Sequence, residues 1–200
     1  MPDLTQTEPT RAGLPVLDGI SVIHTLGPAG TNLEMAAHHW FTCRGRRPDV
    51  RLHPTLESAV PGLSGDGHEA LLACAVYPEL HYLVFQNLGR LAMVDSFILP
   101  TYDMVFATRA DEAEVATVVS HPAPQTLARR VSPQAALRLV TSNSQAAREC
   151  AGGAADGCVT TSRAAADLGL KVRRNFGPVP MVYTLHLAGG VAAAGSEPAA

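Results

Sequence analysis

The chain has 200 residues, of which 46% are hydrophobic and 16% charged, with a formal net charge of −3. That length is enough for one sizeable core or for two small lobes that share a hinge, and the composition is that of a folded protein. It excludes a nucleic-acid partner held by a basic field and a membrane surface held by a polybasic stretch. Arg44, Arg46 and Arg47 form the one local basic cluster, and they fit a solvated loop after a helix that ends near Phe41.

Cys43, Cys74, Cys150 and Cys158 are dispersed without a Cys-x-x-Cys pair, which predicts reduced thiols in a cytoplasm. Met1 to Thr10 is polar and acidic, and no run approaches the length of a membrane span, so neither export nor insertion is expected. Residues 1–15 and 189–200 lack periodicity and are expected to be flexible tails around a folded body, residues 16–188.

In chain order, the strand Ile20 to His24 breaks into a helix, Leu33 to Phe41, through Gly27-Pro28-Ala29-Gly30-Thr31-Asn32. The glycines permit a tight turn and close approach of a ligand, Thr31 or Asn32 can cap the helix, and Glu34 sits in its first turn. Such a turn offers backbone N–H groups to a small carboxylate; without a Gly-Lys-Ser/Thr ending, phosphate is disfavoured. An ordinary βα turn accounts for the same residues.

A helix at Leu56 to Leu63 and a strand at Leu71 to Val76 follow. Leu91 to Leu99 and Tyr102 to Thr108 then lie back to back around Pro100-Thr101, too close for a helical crossover. Beyond them, strands at Val115 to Val119, Leu137 to Val140, Gly157 to Thr160 and Lys171 to Arg174 alternate with helices at Ala123 to Arg130, Ser144 to Cys150 and Ser162 to Leu168. Met181 to Leu187 adds a late strand with no helix after it. This α/β pattern predicts two lobes: lobe one of about residues 16–100 plus 179–188, and lobe two of about residues 103–178, with a ligand cleft between them.

Lobe two repeats the logic of the first turn. Its strands run into Ser120-His121-Pro122, Thr141-Ser142-Asn143-Ser144 and Thr160-Thr161-Ser162. Each alone is a plain helix cap, but together with Gly30, Thr31 and Asn32 they read as a carboxylate cradle. His38-His39 has no His-Glu-x-x-His or Cys/His context and fits a helix surface, so no metal and no cofactor is expected.

Four linked motifs carry a resemblance that spans nearly the whole body in order. Thr25 to Thr31, Ser120-His121-Pro122, the Ser/Asn-rich turn before Ala146-Ala147, and Ala164-Ala165-Ala166-Asp167-Leu168-Gly169-Leu170 resemble the catalytic domain of prephenate dehydratases. The resemblance implies a two-lobed, periplasmic-binding-protein-like (type II) fold with the substrate in the cleft. That family ends its catalytic domain with Thr-Arg-Phe, whose Thr is taken to protonate the leaving ring hydroxyl, and continues into a regulatory domain. The matching place here reads Val182-Tyr183-Thr184, and the chain stops soon after.

With Val179-Pro180-Met181 before that strand, the sequence looks more like the prephenate decarboxylases of bacilysin-type antibiotic pathways. Those enzymes remove the ring carboxylate, add a proton to the diene and leave the 4-hydroxyl in place, giving a dihydro-4-hydroxyphenylpyruvate. The segment Tyr77 to Asn87 matches neither family's active-site loop.

Under this reading, His121, Tyr77 and His81 are the candidate proton donors, standing at or just past strand ends. The candidate substrate-binding residues are Gly30, Thr31, Asn32, Ser120, Ser142, Asn143, Thr160, Thr161, Met181 and Tyr183. Arg90 and Arg109 are assigned no clamp, so neutral donors and helix dipoles are expected to hold the substrate. The alternatives are another lyase or isomerase on a prephenate- or chorismate-derived acid, including an aromatising prephenate dehydratase, and a small-carboxylate binding module without turnover. The expected partner is the small-molecule substrate; an exposed strand edge or apolar face would be the means to a homodimer.

Overall fold

The computed structural model describes residues 15–109 and 114–189; apart from Pro15 and Gly189, both expected tails lie outside the described residues. A short helix, α1 (Pro15–Gly19), leads into β1 (Val22–Leu26), α2 (Asn32–Thr42), β2 (Val50–His53), α3 (Leu56–Ala59), a 3-10 turn at Val60–Gly62, β3 (Glu69–Cys74), α4 (Leu80–Gln86) and β4 (Leu91–Pro100). Then follow β5 (Met104–Thr108), β6 (Thr117–Ser120), α5 (Gln125–Val131), β7 (Ala136–Leu139), α6 (Asn143–Ala151), β8 (Gly157–Thr161), α7 (Ser162–Asp167), β9 (Lys171–Gly177) and β10 (Pro180–Ala188).

The strands make two five-stranded sheets, in the orders β2-β1-β3-β10-β4 and β7-β6-β8-β5-β9. Both follow one plan. Three parallel strands are extended by an antiparallel one, β10 in the first sheet and β5 in the second. The mixed α/β architecture with two sheets is thus the expected fold class, and its cause is visible in the pairing of β10. That strand returns to the first sheet after the whole second sheet is complete, and it lies between β3 and β4.

The chain therefore crosses between sheets twice, and the crossings bond to each other. Thr101 N–H donates to Val179 O at 2.9 Å, and Val179 N–H donates to Thr101 Oγ1 at 3.0 Å. Asn32 Oδ1 accepts the N–H of Tyr102 at 3.0 Å, tying the start of α2 to the first crossing.

The burial pattern follows the sequence periodicity. In α2, Leu33, Ala36, Ala37, Trp40 and Phe41 recur at helical spacing and are all buried against Ile23, Leu72 and Leu185 of the first sheet. In β3, every residue from Ala70 to Cys74 is buried, as expected of a strand covered on both faces. The second sheet packs smaller residues, including Ala107, Val119, Ala146, Ala147 and Cys158. Its Gly157 in β8 lies against the ring of Phe106, 2.8 Å from where a Cβ would stand. Gly157→Ala is expected to lower stability by about 1–3 kcal/mol. A urea midpoint unchanged from wild type would mean that the ring turns aside freely.

Three elements depart from the sequence expectation, the first being the helix α1, which precedes the expected first strand. β2 is an edge strand of four residues in which Arg51 and His53 interrupt the apolar pattern, so it carries little periodic signal. The segment Tyr77 to Asn87 contains α4, which starts from Glu79 in a left-handed conformation (φ 63°) without a side-chain cap and buries only Leu83.

Candidate active site

A cavity of about 350 Å³ lies between the two sheets. Strand ends and helix starts from both sides supply its wall, the placement expected of α/β ligand sites. From the first sheet come Leu26 at the end of β1, Thr31, Asn32 and Leu33 at the start of α2, and Cys74, Val76, Tyr77 and Pro78 at and after the end of β3. β10 contributes Met181 and Tyr183, and the crossings contribute Thr101 and Val179. From the second sheet come Met104, His121, Ala123, Pro124, Thr126 and Leu127, then Thr141 to Ser144 and Thr161. No Asp, Glu, Lys or Arg is among these lining residues.

The structure thus brings together His121, Tyr77, Thr31, Asn32, Ser142, Asn143, Thr161, Met181 and Tyr183. Four other expected site residues do not line the cavity. Gly30 turns its N–H to the carboxylate of Glu34, and Gly27 N–H donates to His53 O at 2.8 Å, so the glycine turn spends these donors internally. Ser120 is fully buried and donates its hydroxyl to His121 O at 2.9 Å. Thr160 is likewise fully buried, and its Oγ1 donates to Asn143 O at 2.7 Å, fixing the first residue of α6. His81 is exposed on α4 and packs on the ring of Tyr82, with centroids 4.2 Å apart. Among the residues left without a clamp, Arg90 bonds the carbonyls of Pro61 and Leu63, and neither Arg90 nor Arg109 lines the cavity.

The hydroxyls at the helix starts act as caps. Thr31 Oγ1 accepts from Glu34 N–H at 3.2 Å, Ser142 Oγ from Gln145 N–H at 3.0 Å, and Thr161 Oγ1 from Ala164 N–H at 3.2 Å. These caps satisfy one N–H per helix. The other first-turn N–H groups have no intrahelical acceptor and keep the positive end of the helix dipole at the cavity.

His121 and Tyr77 differ as proton donors. His121 is half-buried, and burial lowers its pKa from the ordinary histidine value. Its Nδ1 accepts from Ala123 N–H at 3.2 Å, which puts the proton of the neutral ring on Nε2. Tyr77 donates its hydroxyl to Glu57 Oε2 at 2.8 Å, and burial together with that bond pushes its pKa up to about 12. Tyr77 therefore gives the cavity a wall, and its proton is committed to Glu57.

The strand alternation of β10 also locates the Thr-Arg-Phe departure. Met181 and Tyr183 face the cavity, whereas Val182 does not line it and is 41% exposed. The cavity-facing residues missed by sequence reasoning are mostly apolar: Leu26, Leu33, Cys74, Met104 and Leu127. Leu26 and Cys74 had a positional signal, each as the last residue of a strand whose end points at the cleft.

Among the described residues, no helix is long and apolar enough to cross a membrane, and no group of three or more His, Cys, Asp or Glu side chains is placed to hold a metal ion.

No family model matches the chain. It is similar to the prephenate decarboxylase of Bacillus subtilis (strain 168), 28% identical over 184 residues that cover 88% of this chain and 90% of the relative. The prephenate decarboxylase of Bacillus amyloliquefaciens is 27% identical over 172 residues, covering 82% and 84%. Among solved structures, the prephenate dehydratase of Arthrobacter aurescens in complex with L-Phe superposes with a TM-score of 0.67 at 15% identity, over 85% of this chain and 61% of that one. The periplasmic VFT2 domain of Bordetella pertussis BvgS does so with a TM-score of 0.51 at 16% identity, over 85% and 81%. The fold is that of these two-lobed domains, a type II periplasmic-binding-protein-like architecture.

Proposed function

We propose that this chain, a homologue of prephenate decarboxylases, is a carbon–carbon lyase that decarboxylates prephenate without aromatising it, leaving a dihydro-4-hydroxyphenylpyruvate. The observation that carries this reading is the uncharged cavity between the sheets, in which His121 is the one lining side chain, among the described residues, with an ordinary pKa near neutrality. Removing water from around a carboxylate raises its energy relative to the neutral carbon dioxide that it becomes, and among the described residues no Lys or Arg stands in the wall to offset this.

The electron pairs balance within the substrate, and one proton is added from outside it. The bond from the ring carbon to its carboxylate breaks, and its electron pair becomes a new ring double bond. The adjoining π pair then takes a proton, and the hydroxyl stays in place. The side-chain carboxylate is held at the helix starts capped by Thr31 and Ser142, which line the cavity and whose remaining first-turn N–H groups have no intrahelical acceptor. His121 supplies the proton in its imidazolium form from Nε2. Its lowered pKa makes that form a stronger acid and a rarer one. Val182, at the place that the resemblance gives to the Thr of Thr-Arg-Phe, has no proton to donate and does not line the cavity.

The enzyme acts in the cytoplasm; its cysteines stand as reduced thiols, Cys43 exposed and Cys74, Cys150 and Cys158 buried, as a reducing compartment keeps them. A non-aromatic product of this kind suits the biosynthesis of a specialised metabolite.

The test is incubation of the purified protein with prephenate at neutral pH, without added metal or cofactor, followed by mass and ultraviolet spectra. The expected product has lost carbon dioxide and kept the hydroxyl. Phenylpyruvate would make the chain a dehydratase, and saturable binding without turnover would make it a binding module.

A further inference from the structure

Two polar atoms of cavity-lining residues take no part in carboxylate binding or proton transfer. Tyr183 Oη, on β10 of the first sheet, and Asn143 Oδ1, at the start of α6 beside the second, are buried without a hydrogen-bond partner. Among the described residues, Tyr183 and Asn143 are the cavity-lining residues with a side-chain atom in that condition. Other hydroxyls of the wall are engaged: Thr101 Oγ1 donates to Tyr102 O, Thr141 Oγ1 to Gln145 Oε1, and Thr31 Oγ1 to Leu26 O. Native proteins rarely leave buried polar atoms unsatisfied, so a pair of them on two residues that line one cavity, one in the first sheet and one in the helix beside the second, points to a ligand group that completes both.

Their hydrogen-bonding valence selects that group. A phenol can donate, whereas an amide oxygen only accepts. A carboxylate would satisfy Tyr183 but set its lone pairs against Asn143 Oδ1, and a ketone would leave Oδ1 unsatisfied. An alcohol accepts from the one and donates to the other. The substrate of the proposed reaction carries a single alcohol, its ring hydroxyl. Resting on that reading, we infer that Tyr183 and Asn143 clasp the ring hydroxyl of the substrate, Tyr183 Oη donating to its oxygen and Asn143 Oδ1 accepting its proton.

Both residues are held for this task. Tyr183 is 1% exposed, and its ring stacks on Phe97 with centroids 5.6 Å apart and planes at 22°. The backbone of Asn143 is fixed by the hydroxyl of Thr160. Burial also raises the pKa of the Tyr183 phenol well above its ordinary range. The clasp thus offers a donor that does not surrender its proton, which orients the hydroxyl without converting it into a leaving water.

The experiment measures decarboxylation of prephenate, and of the same cyclohexadienyl acid lacking the ring hydroxyl, by the wild type, Tyr183→Phe and Asn143→Ala. Each substitution is expected to lower kcat/KM for prephenate by about tenfold and to leave the deoxy compound unaffected. Equal losses on both compounds, or no loss on prephenate, would overturn the clasp. A merely structural role predicts the equal losses, because a disturbed cavity harms both substrates alike. A wild-type protein that does not decarboxylate prephenate would overturn the reading on which the clasp rests, an outcome visible before any variant is compared.

Discussion

Replacing His121 by glutamine is expected to lower kcat for prephenate by about 10²–10⁴-fold while KM changes little, the loss typical of a removed general acid. Glutamine keeps a donor near the position of Nε2, so a residue that only oriented the substrate would be largely replaced by it. The pH dependence gives a second reading of the same group. Burial favours the neutral ring, and the bond that Nδ1 accepts from Ala123 must break on protonation; both place the histidine below its ordinary pKa. The acid form is then abundant only below that lowered value. The wild-type kcat should rise as the pH falls towards it, level off beneath it, and decline by about tenfold per unit above it. His121→Gln should abolish this slope. A flat wild-type profile between about pH 5 and 8, with a variant near wild-type rate, would remove His121 from the chemistry.

Trp40→Ala is expected to destabilise the protein by about 3–5 kcal/mol, the cost of truncating a fully buried aromatic side chain. Trp40 is 1% exposed within the core of the first sheet, and its indole Nε1 donates to Asp95 Oδ2 at 2.8 Å. The guanidinium of Arg44 lies 4.0 Å from the ring centroid and 2.8 Å from the same carboxylate oxygen. Truncation therefore opens a cavity, removes a hydrogen bond from Asp95 and takes the platform from beneath Arg44. Because Trp40 anchors the helix that begins at Thr31 and Asn32, looser packing here also loosens one wall of the site. A loss of this size is a large part of the stability of an ordinary domain, about 5–15 kcal/mol. Urea unfolding measures it; a change under about 1 kcal/mol would mean that α2 is not held by this contact.

Much of this architecture is legible in the residues, for a definite reason. Alternating strands and helices, together with the close succession of β4 and β5 and the late strand β10, leave little choice but two sheets joined by two crossings. Hydroxyl-rich turns at strand ends mark where ligand-facing groups gather. Sequence does not reveal which of two adjacent side chains turns inward. Ser120 and Thr160 point into packed regions and bond the backbone, while their neighbours His121 and Thr161 face the cavity. In β10, Met181 and Tyr183, two residues apart and both expected at the site, line the cavity, and Val182 between them does not. The glycine turn looked like an anion cradle because its N–H groups can be counted, but Glu34 and His53 already take two of them. Apolar wall residues such as Met104 and Leu127 are indistinguishable by type from core residues, and only the tertiary fold separates them.

The central claim is that this cavity removes the ring carboxylate and protonates the diene while the hydroxyl stays. The most direct measurement is proton and mass analysis of the product formed from prephenate in deuterium oxide. The account predicts release of carbon dioxide, one deuterium on a ring carbon and a retained hydroxyl. An aromatic phenylpyruvate, with the hydroxyl lost and no ring deuterium, would contradict it.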